Sequence, residues 1–254
     1  MSHQTTRLGA ALLLCIVGTQ SVCAADVVAV AAAESFRGPL TALAARFQAG
    51  GADRPALTFA ASATLAKQVE AGQAEIVICA QSWGDYLDQH GLLVPGSRRN
   101  LLGDHLLLIA AAGASAVIDL QQGAPLAALL RGKPLALADP DKTQTGRYAQ
   151  IALQKLALWD DVAANLKRAE NVRGALASVV QGEAALGIVY QTDLQGHPDV
   201  HVVGQFPDDS HPPIIYTFAL TRSAKPQARA FLAEIEGTYA ISLYRAAGFV
   251  PLAN

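Results

Sequence analysis

The stretch TFAASATLAKQVEAG, Thr58 to Gly72, carries a short apolar run into a patch of small residues, Ala61-Ser62-Ala63-Thr64, and then into a segment with Leu65 and Val69 at helical spacing. It reads as the end of a strand and the start of a helix. A hydroxyl at such a joint can cap the helix by accepting a hydrogen bond from a free N–H of its first turn. The other reading is that those N–H groups point at a ligand. The choice turns on whether joints of the same design recur.

They recur along the chain. AVAAAESF, Ala29 to Phe36, ends a strand at Ala33 and starts a helix at Ser35. ADPDKTQTGRYAQ, Ala138 to Gln150, leaves a strand, passes Thr143 and Thr145, and enters a helix. ENVRGALASVV opens a helix around Val172, and GIVYQTD ends a strand at Tyr190. In parallel α/β folds ligands gather outside the carboxyl ends of strands, where helix N-termini also point. Those termini carry free N–H groups and partial positive charge, so an anion can bind without a full countercharge. Ser35, Ser62, Thr145 and Tyr190 can each donate one hydrogen bond. A site of neutral donors selects a fully ionised oxyanion.

Around these joints, apolar runs of strand length alternate with helical patterns. Strands are expected at 27–33, 56–60, 75–80, 106–111, 135–138, 185–190, 201–206 and 214–221, and helices near 36–49, 65–71, 83–90, 145–156, 173–181, 226–236 and 239–246. Most strands are apolar throughout, which suggests sheets that are mostly parallel and covered on both faces. The class is α/β. No flexible linker divides the chain, so two lobes would be joined by crossing strands, for which Leu106–Ala111 and Ile214–Thr221 are the candidates. A cleft between lobes is the default place for a small ligand.

The 254 residues, 52% hydrophobic and 16% charged, can bury a sizeable core. A formal charge of −2 with no basic face argues against nucleic acid. The N-terminus reads as a secretory signal: Arg7, the 11-residue apolar run LGAALLLCIVG, then small residues, with cleavage after Ala24. Neither Cys15 nor Cys23 follows the small residue that a lipid-anchor site wants. Export leaves Cys79 alone, so no internal disulfide is expected, and a buried apolar role fits it.

Catalytic motifs are missing: there is no G-x-S-x-G, H-E-x-x-H, C-x-x-C, P-loop or G-x-G-x-x-G. His197 and His201 are four apart, but Pro198 interrupts a helix there, and DDSHPP at 208–213 reads as a solvated turn rather than a cation site. A serine hydrolase using Ser35 or Ser62 would need a partnered histidine, and His90, His105, His197, His201 and His211 all fall outside the joints. Arg37, Arg147 and Arg173, which could clamp a carboxylate, are expected to face solvent.

The chain resembles the periplasmic molybdate-binding proteins, the substrate-binding components of molybdate ABC importers, over essentially all of its length after the signal. The pieces that carry the resemblance are FAASATLAKQVEAGQAEIVICA, LADPDKTQTGRYAQIALQKLALWD, ENVRGALASVVQGEAALGIVYQTD and FPDDSHPPIIYTFAL. The resemblance implies a two-lobed periplasmic binding fold of type II, with residues 25–107 and 217–254 in one lobe and 108–216 in the other. It implies no enzyme activity and no cofactor, but capture of dehydrated molybdate or tungstate in the periplasm by a monomer and delivery to a membrane permease. The implied ligands are Ser35 and Ser62 from the first lobe, with Thr145, Val172 through its backbone N–H, and Tyr190 through its hydroxyl from the second. Sulfate or phosphate is the alternative ligand on the same fold. One departure concerns Glu34, which stands where the family runs straight from alanines to serine. A carboxylate beside a dianion is repulsive, so Glu34 is expected to point outward.

Overall fold

A computed structural model describes residues 27–113 and 117–253. The expected signal at 1–24, with Cys15 and Cys23, lies outside the described residues.

Two sheets organise the chain. The first holds β1 (Ala29–Ala33), β2 (Ala56–Ala60), β3 (Ile76–Ala80), β4 (Arg99–Gly103), β10 (Ile215–Leu220) and β11 (Val250–Pro251), in the order β11-β4-β10-β3-β1-β2. The second holds β5 (Leu106–Ala111), β6 (Leu135–Ala138), β7 (Leu166–Ala169), β8 (Leu186–Tyr190) and β9 (Val200–Gln205), in the order β7-β6-β8-β5-β9. The helices are α1 (Arg37–Ala49), α2 (Ser62–Glu70), α3 (Gln81–Gln89), α4 (Leu126–Leu130), α5 (Gln144–Lys155), α6 (Trp159–Val162), α7 (Val172–Val180), α8 (Pro226–Glu236) and α9 (Thr238–Ala246). Among the described residues, no helix is long and apolar enough to cross a membrane.

Both faces of each sheet are covered, which is why the strands lack polar alternation. In β3 the period of two sends Ile76 and Ile78 into a core shared with α1, α8 and α9. Val77 and Cys79 pack on the opposite face with Leu65 and Val69 of α2 and Leu87 of α3. Burial pushes the Cys79 thiol up to about 12, so it stays a neutral, inert filler. In the second sheet Leu107, Ile109 and Val189 meet Leu176 and Val179 of α7, while Leu108 and Ile188 face the large core with Ala149 and Leu153 of α5. The packing of α7 on β8 is sterically constrained. A Cβ on Gly187 would stand 2.7 Å from Val179, so α7 can lie on β8 only over a glycine.

The sheets are mixed rather than mostly parallel. β1 runs parallel to β2 and β3, and β6 parallel to β7 and β8, but β10 is antiparallel to β3 and β4, and β5 to β8 and β9. Nor do the expected crossing strands cross. β5 spends its hydrogen bonds wholly in the second sheet and β10 wholly in the first. The chain passes between lobes at Asp104–His105 and at 206–214. These two segments are joined where Asp104 N donates to the Ile214 carbonyl at 3.2 Å.

One local constraint places α5. Gly146 lies so close to the end of β6 that a Cβ would stand 2.7 Å from the Asp139 carbonyl carbon and 2.8 Å from that of Ala138. Backbone cannot yield as a side chain can. Gly146→Ala is therefore expected to lower unfolding free energy by about 2–4 kcal/mol in urea titration, and an unchanged midpoint would show that α5 can shift freely.

Candidate functional site

Ser62 opens α2 just beyond the carboxyl end of β2. The N-cap is Ala61, which has no polar side chain; its carbonyl accepts the N–H of Thr64 at 2.9 Å and of Leu65 at 3.1 Å. Ser62 thus does not cap its own helix. Its Oγ accepts the N–H of Ala80, at the end of β3, at 3.1 Å. With that lone pair engaged, the hydroxyl proton is left to be donated elsewhere.

Ser35 sits in a 3₁₀ turn, Glu34–Phe36, and α1 begins only at Arg37, later than the sequence pattern suggested. Phe36 anchors the turn. It packs edge-on against Tyr216 (5.0 Å between centroids), Phe218 (5.5 Å) and Tyr244 (5.7 Å) and stacks on Phe249 (4.3 Å). Ser35 also lies near the phenol of Tyr216, whose pKa burial raises and Ser35 lowers. Sequence reasoning passed over Tyr216, because within IIYTFAL it looks like one more apolar strand residue. Its register partner on β3 is Ala80, the residue whose N–H holds Ser62.

In the second lobe the caps are side chains. Thr143 Oγ1 accepts the Gly146 N–H at 3.0 Å while donating to the Asp139 carbonyl at 2.9 Å. Asn171 Oδ1 accepts the Gly174 N–H at 3.0 Å. Each cap serves only the third residue of its helix, so the N–H groups of Gln144, Thr145 and Val172 have no acceptor inside their helices. Tyr190 ends β8; its N–H donates to Asp193 Oδ2 at 3.0 Å, and its phenol lies near the Thr145 side chain.

These groups converge. Tyr190 and Tyr216 come from different sheets, yet lie close enough for Tyr190 to perturb the pKa of the Tyr216 phenol. Thr145 and Tyr190 of the second lobe thus lie near Tyr216 and Ser35 of the first, with Ser62 tied to Tyr216 through Ala80. Val172 reaches the same place through its neighbour Arg173, whose Nη2 lies 2.9 Å from Oε2 of Glu34, the residue before Ser35. All five sequence candidates are half-buried, as groups lining a cleft should be. A cavity of about 540 Å³ opens between the lobes beside Ser35, with Glu34, Arg173, Thr192 and Asp193 also in its wall; Ser62, Thr145, Val172 and Tyr190 do not line it.

The electrostatics favour neutral donors. Burial pushes both phenols well above their ordinary range, so Tyr190 and Tyr216 stay protonated. Arg37, Arg147 and Arg173 are exposed. Two acids lie beneath the site. Asp104, fully enclosed at the first crossing, accepts from Thr192 Oγ1 (2.7 Å) and His105 N (2.9 Å), and burial raises its pKa well above the usual carboxylate range. Burial lifts Asp193 to about 6, against the opposing pull of the Tyr190 N–H and of Arg173. Among the described residues, no group of three or more His, Cys, Asp or Glu side chains is placed to hold a metal cation.

Comparison with known proteins gives a consistent result. The family model of the bacterial extracellular solute-binding proteins matches residues 28–250. The chain is 37% identical to the molybdate-binding protein ModA of Haemophilus influenzae over 250 residues, covering 96% of this chain and 97% of that one. It is 35% identical to ModA of Escherichia coli K12 over 245 residues, 95% of each chain. Among solved structures, the periplasmic molybdate-binding protein of Azotobacter vinelandii superposes with a TM-score of 0.73 at 22% identity, covering 89% of this chain and all of that one, which speaks for the two-lobed fold.

The acid beneath Tyr190 yields a pH prediction. Folded Asp193 holds its proton up to about pH 6, whereas an unfolded aspartate loses it near about 3.9. The folded state therefore binds more protons in that window. The resulting stabilisation is full below the lower value and is lost as pH rises through about 6. Asp193→Asn, which can still accept the Tyr190 N–H, should flatten this dependence by about 1–3 kcal/mol between acidic and neutral pH. Urea midpoints of both proteins across that range check it; parallel curves would mean that Asp193 is not the responsible group.

Proposed function

We propose that this chain, which belongs to the bacterial extracellular solute-binding protein family, captures molybdate in the cleft between its lobes and hands it to the permease of an ABC importer. The observation that carries this is the likeness to two molybdate-binding proteins along nearly the whole chain, with which the donor set of the cleft agrees. Tungstate, of almost the same size and shape, is taken as well. The protein works in the periplasm as a monomer, and it binds its solute without transforming it.

The ligands are the hydroxyls of Ser35, Ser62 and Tyr190 together with Thr145 and the backbone N–H of Val172. A tetrahedral dianion presents oxygens in every direction, so it can collect donors from both lobes at once. Inside a closed cleft those hydrogen bonds are stronger than in water. Sulfate is smaller, and a ring of donors set for longer metal–oxygen bonds leaves its contacts stretched. The crossings at Asp104–His105 and 206–214 shift the expected lobe bounds, so that Leu106 and Leu107 of β5 fall in lobe 2 and Ile215 and Tyr216 of β10 in lobe 1, and closure brings the two sets of donors together.

Isothermal titration tests the reading. Molybdate and tungstate should each bind one to one, and excess sulfate or phosphate should fail to displace them. Equal competition by sulfate would move the assignment to another oxyanion on the same fold. Tyr190→Phe removes one donated hydrogen bond and should weaken molybdate binding by about tenfold. Ser62→Ala should cost at least as much, since it also strips the Ala80 N–H of its acceptor. Unchanged affinity in both variants would remove these residues from the ligand set.

A further inference from the structure

Glu34 is the residue by which this chain departs from the pattern it resembles; it lines the cavity between the lobes, and its carboxylate is held there by two arginines. Arg37, on the same lobe, grips it in a fork: Nη2 lies 3.0 Å from Oε1 and 2.9 Å from Oε2, and Nε lies 3.2 Å from Oε2. Arg173, at the start of α7 in the other lobe, reaches Oε2 at 2.9 Å. Other ion pairs of the described residues, such as Arg46–Glu234, Lys167–Glu183 and Arg168–Asp141, stay within one lobe.

We infer that Glu34 and Arg173 form a clasp for the anion site, made only when the lobes are closed, which slows release of the bound anion. This rests on the oxyanion-binding function proposed above. The placement is what gives the pair its leverage. Glu34 precedes Ser35 and Arg173 follows Val172, so the clasp ties together the backbone segments that present a donor from each side. Separating the lobes must break it, whereas breaking it leaves each lobe intact.

Charge and entropy both favour this role. A lone carboxylate next to a dianion would oppose binding, but between two guanidinium groups it belongs to a triad with net charge +1. Arg37 holds the carboxylate in place before the lobes meet, so closure has only Arg173 to order. The exposure of the partners, 34% for Glu34 and 58% for Arg173, sets the scale. A pair this wet contributes as surface pairs do, so a change of a few-fold in release rate is expected.

The test is a double-mutant cycle read on dissociation. Wild type, Glu34→Gln, Arg173→Gln and the double variant are loaded with labelled molybdate, and release is followed after a chase of unlabelled anion. Each single variant should release about two to five times faster, and the double variant no faster than the faster single one. Raising salt from about 0.05 M to about 0.5 M should speed release from wild type more than from the double variant. Rates that multiply in the double variant, or singles indistinguishable from wild type, overturn the clasp. Equilibrium titration of wild type with molybdate keeps the two ideas apart. Absence of binding there overturns the function and the clasp together, whereas normal binding with multiplicative release rates overturns the clasp alone.

Discussion

A helix cannot bond its own first N–H groups, and α2, α5 and α7 all begin at the cleft. In α5 and α7 a side-chain cap takes one of these groups, through Thr143 and Asn171, and in α2 no side chain caps at all. The remaining donors need water or a ligand. Much about the surrounding sequence follows from that need. At the α2 joint, Ala61 to Thr64, the residues are small and uncharged, and a bulky or cationic side chain there would cover the donors or replace them. Gly146 has to lack a side chain, because α5 must start almost against the end of β6 to bring Thr145 beside Tyr190.

The charge distribution follows the same logic. A site that relied on arginines would bind many anions, including carboxylates, because a cation attracts without asking for a shape. Here the exposed arginines stand outside the donor set, and the nearest buried titratable groups are acids. Asp104 is tolerated because burial keeps it from ionising readily, and Asp193, which ionises above about pH 6, is offset by Arg173; each accepts bonds that fix local geometry: Thr192 and His105 for Asp104, and the Tyr190 N–H for Asp193. Asp104 also sits on the first crossing, bonded through its backbone to the second at Ile214. The pivot between the lobes and the floor of the site are therefore one piece of structure.

Strands buried on both faces, such as β5 and β6, were legible in the sequence to the residue, since nothing polar blurs their edges. β4 and β7 were not. RNLLG starts with charged and polar residues, and LKRA is a half-exposed edge strand, so neither carries an apolar run. The short α4 and α6 fall below the length at which a helical period can be counted. Strand direction was misjudged where the chain returns between lobes, because an apolar strand covered on both faces looks the same in either direction. The candidate site was legible where a hydroxyl interrupts an apolar run at a joint. Tyr216 was hidden because a phenol inside a run of aromatics gives no such interruption.

The partners of Glu34 were hidden for another reason: Arg173 is 139 residues away, and only the lobe arrangement brings it near. The extra carboxylate is accommodated because the turn that carries it is pinned at its far end. Phe36 is held by four aromatic rings, so Glu34 cannot push the backbone of Ser35 inward without unseating that cluster. The strain-free course is for the carboxylate to swing along the cleft wall, where Arg37 meets it from its own helix. An aromatic anchor chosen for core packing thereby decides where a charge next to the site must go.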